Sequence, residues 1–155
     1  MKLYIAAPAA AREQVLVIAQ SLSQRGHAFT SSWLTDPQTS TATAPSRTDA
    51  EVRFLVERDL EDVARAQGII VLTSDWCLDN CGLSYGQCTS GGRHIETGYA
   101  LALGKPVYVV GQPENIFHRG ACTIVPDLDH LLPWLDQEPW FPERRPARIP
   151  SPRNP

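Results

Sequence analysis

The chain has 155 residues, 43% of them hydrophobic and 20% charged, which is typical of one globular domain with its own core and excludes wholesale disorder. Its net charge is −3, and the four arginines and one glutamate of residues 139–155 leave −6 for the rest. An acidic body is a poor partner for nucleic acid or for an anionic membrane, so neither is expected.

The first part of the chain predicts a strand, a helix, a second strand and a long loop. Residues 2–7 are rich in strand formers, and Pro8 suits the first turn of a helix, which the apolar spacing continues to Gln24. Residues 27–33 predict the second strand. The polar stretch 35–48, with two prolines, predicts a loop of the length that often lines or covers a binding site.

The second part predicts three helices and three strands, with one long irregular loop among them. In chain order these are a helix over 49–66, a buried strand over 68–73, an irregular loop over 74–92, a helix over 93–103, a buried strand over 106–110, a short strand over 121–125 and a short helix over 127–135. This alternation predicts an α/β fold with a parallel sheet and helices on both faces. Ligands of such folds bind beyond the carboxyl ends of the strands, here after Ala7, Trp33, Thr73 and Val110.

The sequence lacks the patterns expected of a membrane span and of a signal peptide, and this bears on where the protein is expected to be located. No apolar run approaches the roughly 18 residues that span a bilayer. The first strand carries one basic residue and only a short apolar stretch, so it is not expected to be a signal peptide. A cytoplasmic protein is therefore expected.

The cysteines are Cys77, Cys81, Cys88 and Cys122, and three of them cluster. Their C-x3-C-x6-C spacing matches no standard zinc pattern, although His94 would complete a set of four ligands. Reduced, partly buried thiols on a loop are the favoured interpretation, and no metal is predicted.

Asp59 is an anomaly in the helix predicted over 49–66. Its apolar stripe comprises Val52, Leu55, Val56, Leu60 and Val63. Helical spacing places the Asp59 carboxylate within that stripe. Two interpretations stay open: the carboxylate reaches solvent or pairs with Arg58 or Arg65, or it is held near the core with a raised pKa suited to proton donation.

A second feature is the run Ser90-Gly91-Gly92-Arg93 before a helix start. Free backbone N–H groups and the helix dipole favour an anion there, whereas the alternative is a plain tight turn with a solvated arginine. Glu96 follows within about one turn. Its carboxylate either only complements the dipole or acts beside a phosphate-binding loop, as sugar chemistry at a nucleotide would require.

Residues 90–111, SGGRHIETGYALALGKPVYVVG, resemble the nucleoside 2-deoxyribosyltransferase superfamily. That family has a glycine-containing turn, then Glu-x-Gly-x-Ala, then Gly-Lys-Pro and an apolar strand. Supporting likenesses lie at residues 3–8, at 58–60 with 66–71, and at 115–118, where NIFH is similar to a segment of phage and bacterial relatives. The resemblance covers about residues 1–135.

The resemblance implies a flavodoxin-like, Rossmann-like three-layer fold with a five-stranded parallel sheet. It also implies cleavage of the N-glycosidic bond of a nucleoside or its 5′-monophosphate. A glutamate at the position of Glu96 would attack C1′ and form a glycosyl ester, which water or a second base resolves. A tyrosine at the position of Tyr4 would orient that glutamate, and an aspartate at the position of Asp59 would protonate the leaving base. No cofactor is needed.

The resemblance also narrows the substrate. Family hydrolases of 5′-monophosphates carry serine, as at Ser90, where transferases of free nucleosides tend to carry aspartate. The expected substrate is thus a nucleoside 5′-monophosphate bound by Ser90, Gly91, Gly92 and Arg93.

Further candidates lie at the ends of strands. Ala7 ends the first strand. Trp33 would stack on a base or lie at the core edge, and His118 would reach the phosphate or a neighbouring subunit or lie in a surface turn.

Departures from the family keep other functions open. Gln67 stands where many relatives have aspartate, and His94 is not typical of the nucleotide hydrolases. The alternatives are a transferase acting on free nucleosides and a non-catalytic nucleotide-binding module. A homodimer or larger homo-oligomer is expected, with a catalytic domain over 1–138 and a Pro/Arg-rich tail over 139–155.

Overall fold

The computed structural model describes residues 1–36, 47–88 and 91–136. The strands are β1 (Lys2–Ala6), β2 (Ala28–Phe29), β3 (Gly68–Leu72), β4 (Val107–Val110) and β5 (Thr123–Val125). The helices are α1 (Arg12–Gln24), α2 (Asp49–Arg65), α3 (Ser74–Cys81), α4 (Tyr85–Cys88), α5 (Gly92–Ala102), α6 (Ile116–Ala121) and α7 (Leu128–Asp136). Short 3₁₀ turns form at Ala9–Ala11 and Ser32–Leu34.

All five strands are parallel, in the order β2-β1-β3-β4-β5. This is the flavodoxin-like order, as expected from the sequence. β3 and β4 are buried along their whole length, because helices cover both faces of the sheet. The parallel register brings the carboxyl ends of β1, β3 and β4 to one edge, and the candidate site lies there.

Helix α2 is fixed at both ends by side chains. Thr48 accepts from the Glu51 N–H while the Glu51 carboxylate accepts from the Thr48 N–H, so a capping box starts the helix. At the other end Lys105 Nζ donates to the Ala64 carbonyl at 2.7 Å and to the Ala66 carbonyl. The Gly-Lys-Pro motif thus satisfies carbonyls that the helix itself leaves unpaired.

The predicted apolar stripe of α2 is only partly buried. Val52 and Val56 are exposed, at 45% and 52%, whereas Val63 is fully buried. The fully buried carboxylate of the helix is that of Asp62, which accepts from Ser32 N–H at 2.7 Å and Ser32 Oγ–H at 2.5 Å. The periodicity identified the helix correctly but not its buried face, because that face also buries a polar link to the turn after β2.

Two predicted boundaries were wrong. The strand predicted over 27–33 pairs only at Ala28–Phe29, because β2 is an edge strand and the chain then turns at Ser32–Leu34. The loop predicted over 74–92 contains α3 and α4. Thr73 caps α3 by accepting from the Trp76 N–H, and Gly82 ends it at a φ of 62°.

Helix α6 was also missed at the sequence level, although Asn115 caps it by accepting from the His118 N–H. Among the helices of the described residues, none has the length and apolar character that crossing a bilayer requires. The proposed tail from residue 139 lies outside the described residues.

Candidate active site

The core of the site joins β1 to α5. Tyr4 is fully buried on β1, and its Oη donates to Glu96 Oε1 at 2.5 Å. The sequence separation is 92 residues, so the contact depends on the parallel pairing that sets the start of α5 beside the end of β1. The orienting role that the resemblance gave to Tyr4 is compatible with this hydrogen bond.

Burial raises the pKa of Glu96 to about 7. The hydrogen bond from Tyr4 opposes that shift, the negative charge of Asp59 adds to it, and the positive charge of Arg93 opposes it. Burial also raises the pKa of the Tyr4 phenol, which therefore stays protonated and remains a donor. The carboxyl of Glu96 is thus balanced between its two protonation states near neutral pH.

Asp59 combines the two interpretations that the sequence left open. Its carboxylate accepts from Arg58 Nε at 3.3 Å and from Arg58 Nη2 at 3.2 Å. Burial nevertheless raises the pKa of Asp59, with the charge of Arg58 opposing the shift. A carboxyl with a raised pKa is suited to giving up a proton during a reaction.

The carboxyl groups of Glu96 and Asp59 meet in one cleft of about 220 Å³, hereafter the Glu96 cleft. It is lined by Ala7, Ala9, Trp33, Arg47, Leu55, Asp59, Gly92, Arg93 and Glu96. Six of these residues were candidates from the sequence, and Ala9, Arg47 and Leu55 were not. Arg47 lay in a predicted loop and carried no pattern, whereas Leu55 belonged to the stripe that was assigned to the core.

Trp33 is nearly buried, at 6% exposure, and its Nε1–H donates to the Ile5 carbonyl at 3.0 Å. The indole thus lies at the core edge and also forms part of the cleft wall. Part of the ring is still accessible from the cleft, and stacking of the indole on a base stays a prediction.

Arg93 is not a solvated surface residue, since it is 3% exposed. Its Nε donates to Glu114 Oε2 at 3.0 Å and its Nη2 to Glu114 Oε1 at 2.5 Å. The same guanidinium donates to Ser74 Oγ and to the Cys88 carbonyl, each at 2.5 Å. Although Arg93 lines the cleft, its charge is committed to a buried ion pair.

The two glycines at the start of α5 are both exposed. Gly91 is the N-cap and offers no side-chain cap, and a Cβ at Gly91 or Gly92 would meet nothing within 4 Å. Within the described residues no side chain accepts from the N–H groups of Gly92 and Arg93, so we infer that they can bind a ligand on the cleft side. Ser90, predicted to bind the phosphate, lies outside the described residues.

Comparison with known proteins supports this architecture. No protein-family model matches the chain, and neither does any curated protein sequence. The solved structure of the CMP N-glycosidase BcmB of Clostridium botulinum is similar, with a TM-score of 0.52 and 16% sequence identity. The match covers 89% of this chain and all of that one. At this identity the likeness shows the fold.

His118 is fully buried, which excludes the surface turn considered for it. Its Nδ1 accepts from the Glu114 N–H at 3.2 Å, and within the described part of the chain its Nε2 has no partner. It does not line the Glu96 cleft. Its reach to a substrate phosphate or to a neighbouring subunit stays a prediction.

His94, Glu114 and His118 place one ligand atom each within 4.8 Å of one another. A metal ion is nevertheless disfavoured there. The His118 Nδ1 is an acceptor, so the proton of the neutral ring lies on Nε2, and both Glu114 oxygens already accept from Arg93. Hydrogen bonds from Arg93 and Ser74 outweigh the effect of burial and hold the pKa of Glu114 below its ordinary value.

The three clustered cysteines lie on helices, although a loop was predicted there. Cys77, Cys81 and Cys88 are free and buried on α3 and α4. Burial raises the pKa of Cys77 to about 12, which keeps the thiol protonated and a poor metal ligand. Among the described residues, these cysteines and His94 do not converge as a ligand group.

Proposed function

We propose that the chain is an N-glycosidase that releases the base from a nucleoside 5′-monophosphate. The observation that carries the proposal is the grouping of Tyr4, Glu96 and Asp59 about one cleft, with the pKa of Glu96 at about 7. Likeness in fold to a CMP N-glycosidase supports the reaction class. Two carboxyl groups with different partners are what retaining glycoside cleavage requires.

In the first step Glu96 attacks C1′ of the sugar. Tyr4 holds Oε1, so we assign the attack to Oε2. A C1′–O ester forms as the C1′–N bond breaks, and Asp59 transfers its proton to the departing base. The base leaves neutral, and Asp59 is left as a carboxylate.

In the second step water attacks C1′ and displaces the Glu96 carboxylate. Asp59 takes the proton of that water, which restores both groups for another cycle. A second base in place of the water would make the protein a transferase. Burial raises the pKa of Asp59, which is the direction that a proton donor needs.

The resemblance also implies a homodimer. Two exposed apolar side chains, Ile116 at 77% and Phe117 at 65%, follow Asn115 on α6. We propose that a second copy of the chain covers them. Sedimentation of the purified protein at several concentrations tests this part of the proposal.

The decisive experiment is chromatographic detection of free base from a panel of ribo- and deoxynucleosides and their 5′-monophosphates. Base release from a monophosphate, lost in Glu96→Gln and kept in Glu57→Gln, is the expected result. Glu57 is a matched control, because it is an exposed glutamate of α2 outside the cleft. Release only in the presence of a second base would instead show a transferase. Tight binding without release would leave a nucleotide-binding module.

A further inference from the structure

The charge balance of the Glu96 cleft is unfavourable for an anionic substrate unless a cation faces it. Glu96 and Asp59 both contribute carboxyl groups. The charge of Arg93 is committed to Glu114. Arg58 is committed as well, because it forms ion pairs with Asp36 and Asp59. Neither guanidinium is therefore available to a phosphate without breaking an existing pair.

Arg47 differs from these arginines. It lies directly before the N-cap residue Thr48 of α2 and lines the Glu96 cleft. Within the described residues it makes no hydrogen bond or ion pair. The carboxylate of Glu51 is already engaged by Thr48, and the charge of Arg47 is the smallest of the influences on its pKa.

The guanidinium of Arg47 also stands apart from the reacting carboxyl groups. Arg47 is not among the charged groups that shift the pKa of Glu96, which are Asp59 and Arg93, nor among the largest influences on the pKa of Asp59. Arg47 thus belongs to the cleft without neutralising either group. A sugar placed with C1′ at Glu96 carries its 5′ substituent away from that carboxylate.

We propose that Arg47 binds the 5′-phosphate of the substrate and thereby selects nucleoside monophosphates over free nucleosides. This inference rests on the proposed function. A guanidinium presents a planar fork of N–H donors that matches two phosphate oxygens. The backbone N–H of Gly92, in the same cleft, contributes to binding the same dianion. Arg47 is a specificity residue, and Arg93 positions the start of α5.

The test compares Arg47→Gln with Arg53→Gln, a matched change at an exposed arginine of α2 outside the cleft. For a monophosphate that releases base, Arg47→Gln is expected to lower kcat/KM by about 10- to 100-fold. Turnover of the corresponding nucleoside is expected to change less than about twofold. Arg47→Lys keeps the positive charge but not the planar fork of donors, so its kcat/KM for the monophosphate should lie between those of the wild-type protein and Arg47→Gln. An equal loss for nucleotide and nucleoside, or no loss for either, would overturn the inference.

A binding experiment separates this inference from the proposed function. Calorimetric titration with ribose 5-phosphate and 2-deoxyribose 5-phosphate requires neither turnover nor a known base. The wild-type protein and Arg53→Gln are expected to bind at least one sugar phosphate, and Arg47→Gln to lose about 10-fold or more in affinity. That result would support Arg47 as the phosphate residue even if no base release were found. Equal affinity in all three proteins would contradict it, and so would no binding by any of them.

Discussion

The hydroxyl of Tyr4 and the carboxylate of Glu96 form a 2.5 Å hydrogen bond in which the phenol is the donor. A phenol whose pKa is raised by burial keeps its own proton and stays a donor, so this hydrogen bond fixes one carboxylate oxygen and leaves the other for chemistry. It also stabilises the charged form of Glu96, which is the form that would attack in the proposed reaction.

Tyr4→Phe removes that hydrogen bond with little change in shape. We expect kcat to fall about 10- to 100-fold and the pKa of Glu96 to rise, because the hydrogen bond from Tyr4 lowers it. The limb of the pH profile of kcat/KM that reports the titration of Glu96 should therefore move to higher pH. An unchanged limb would show that Tyr4 acts only in packing. Tyr99→Phe, at a half-buried tyrosine of α5 outside the cleft, is the control.

The wild-type activity should depend on pH through Glu96. In the proposed reaction Glu96 must be ionised and Asp59 protonated, so the pH profile of kcat/KM is expected to be bell-shaped, with the Glu96 pKa of about 7 as one of its two limbs. The profile is measured from pH 5 to 9 in buffers of constant ionic strength. A profile with no limb near 7 would contradict the raised pKa of Glu96.

The same raised pKa predicts a stability effect of opposite direction. The folded protein holds the Glu96 proton more tightly than the unfolded chain, so the free energy of unfolding falls as pH rises from about 4.5 towards 7. Glu96→Gln removes this penalty and should be the more stable protein at pH 8, by about 2–3 kcal/mol. At pH 4 the two proteins should be nearly equal. Urea unfolding at both values measures the difference, with Glu57→Gln as control.

Arg93 should behave as a structural residue. Replacing it by methionine leaves the Glu114 carboxylate, which is 16% exposed, without its main partner. We expect a loss of about 3–5 kcal/mol in the free energy of unfolding. The double change Arg93→Met with Glu114→Gln should recover part of that loss. Full stability combined with weaker nucleotide binding would instead indicate that Arg93 binds the substrate phosphate.

Lys105→Met tests the link between α2 and the start of β4. The ammonium donates to two carbonyls at the end of α2, so its loss should cost about 1 kcal/mol and a few degrees of Tm. Activity at 25 °C should be unchanged, because the residue does not line the cleft. Differential scanning calorimetry and the base-release assay check the two halves of this prediction.

The sheet was predictable from the sequence for physical reasons, whereas the roles of the candidate catalytic residues came from the family resemblance. The residues of β3 and β4 form continuous apolar runs, the pattern typical of strands that helices cover on both faces. Tyr4 precedes the carboxyl end of the first such strand, and Glu96 lies one turn into the helix that follows two glycines. The association of Tyr4 with Glu96 was expected from the family resemblance, and the parallel topology gives its physical reason, because it sets both positions at the same edge of the sheet.

The features that sequence reasoning missed depend on partners distant in the chain. The burial of Arg93 requires Glu114, 21 residues later, and no local pattern links the two. The buried face of α2 includes Asp62 because Ser32 supplies its hydrogen bonds. Arg47 carries no periodic signal, since its place in the cleft follows from how α2 begins and not from its neighbours.

The two walls of the cleft differ in how firmly they are built. Tyr4 belongs to a strand that is hydrogen-bonded on both sides, so its hydroxyl moves only if the central sheet opens. The facing wall comes from the first half of α2, whose apolar side chains are largely exposed. Changes that retune which molecule is accepted can therefore accumulate on the α2 side at small cost in folding free energy. The proposed attack by Glu96 stays anchored to the buried sheet through its hydrogen bond with Tyr4.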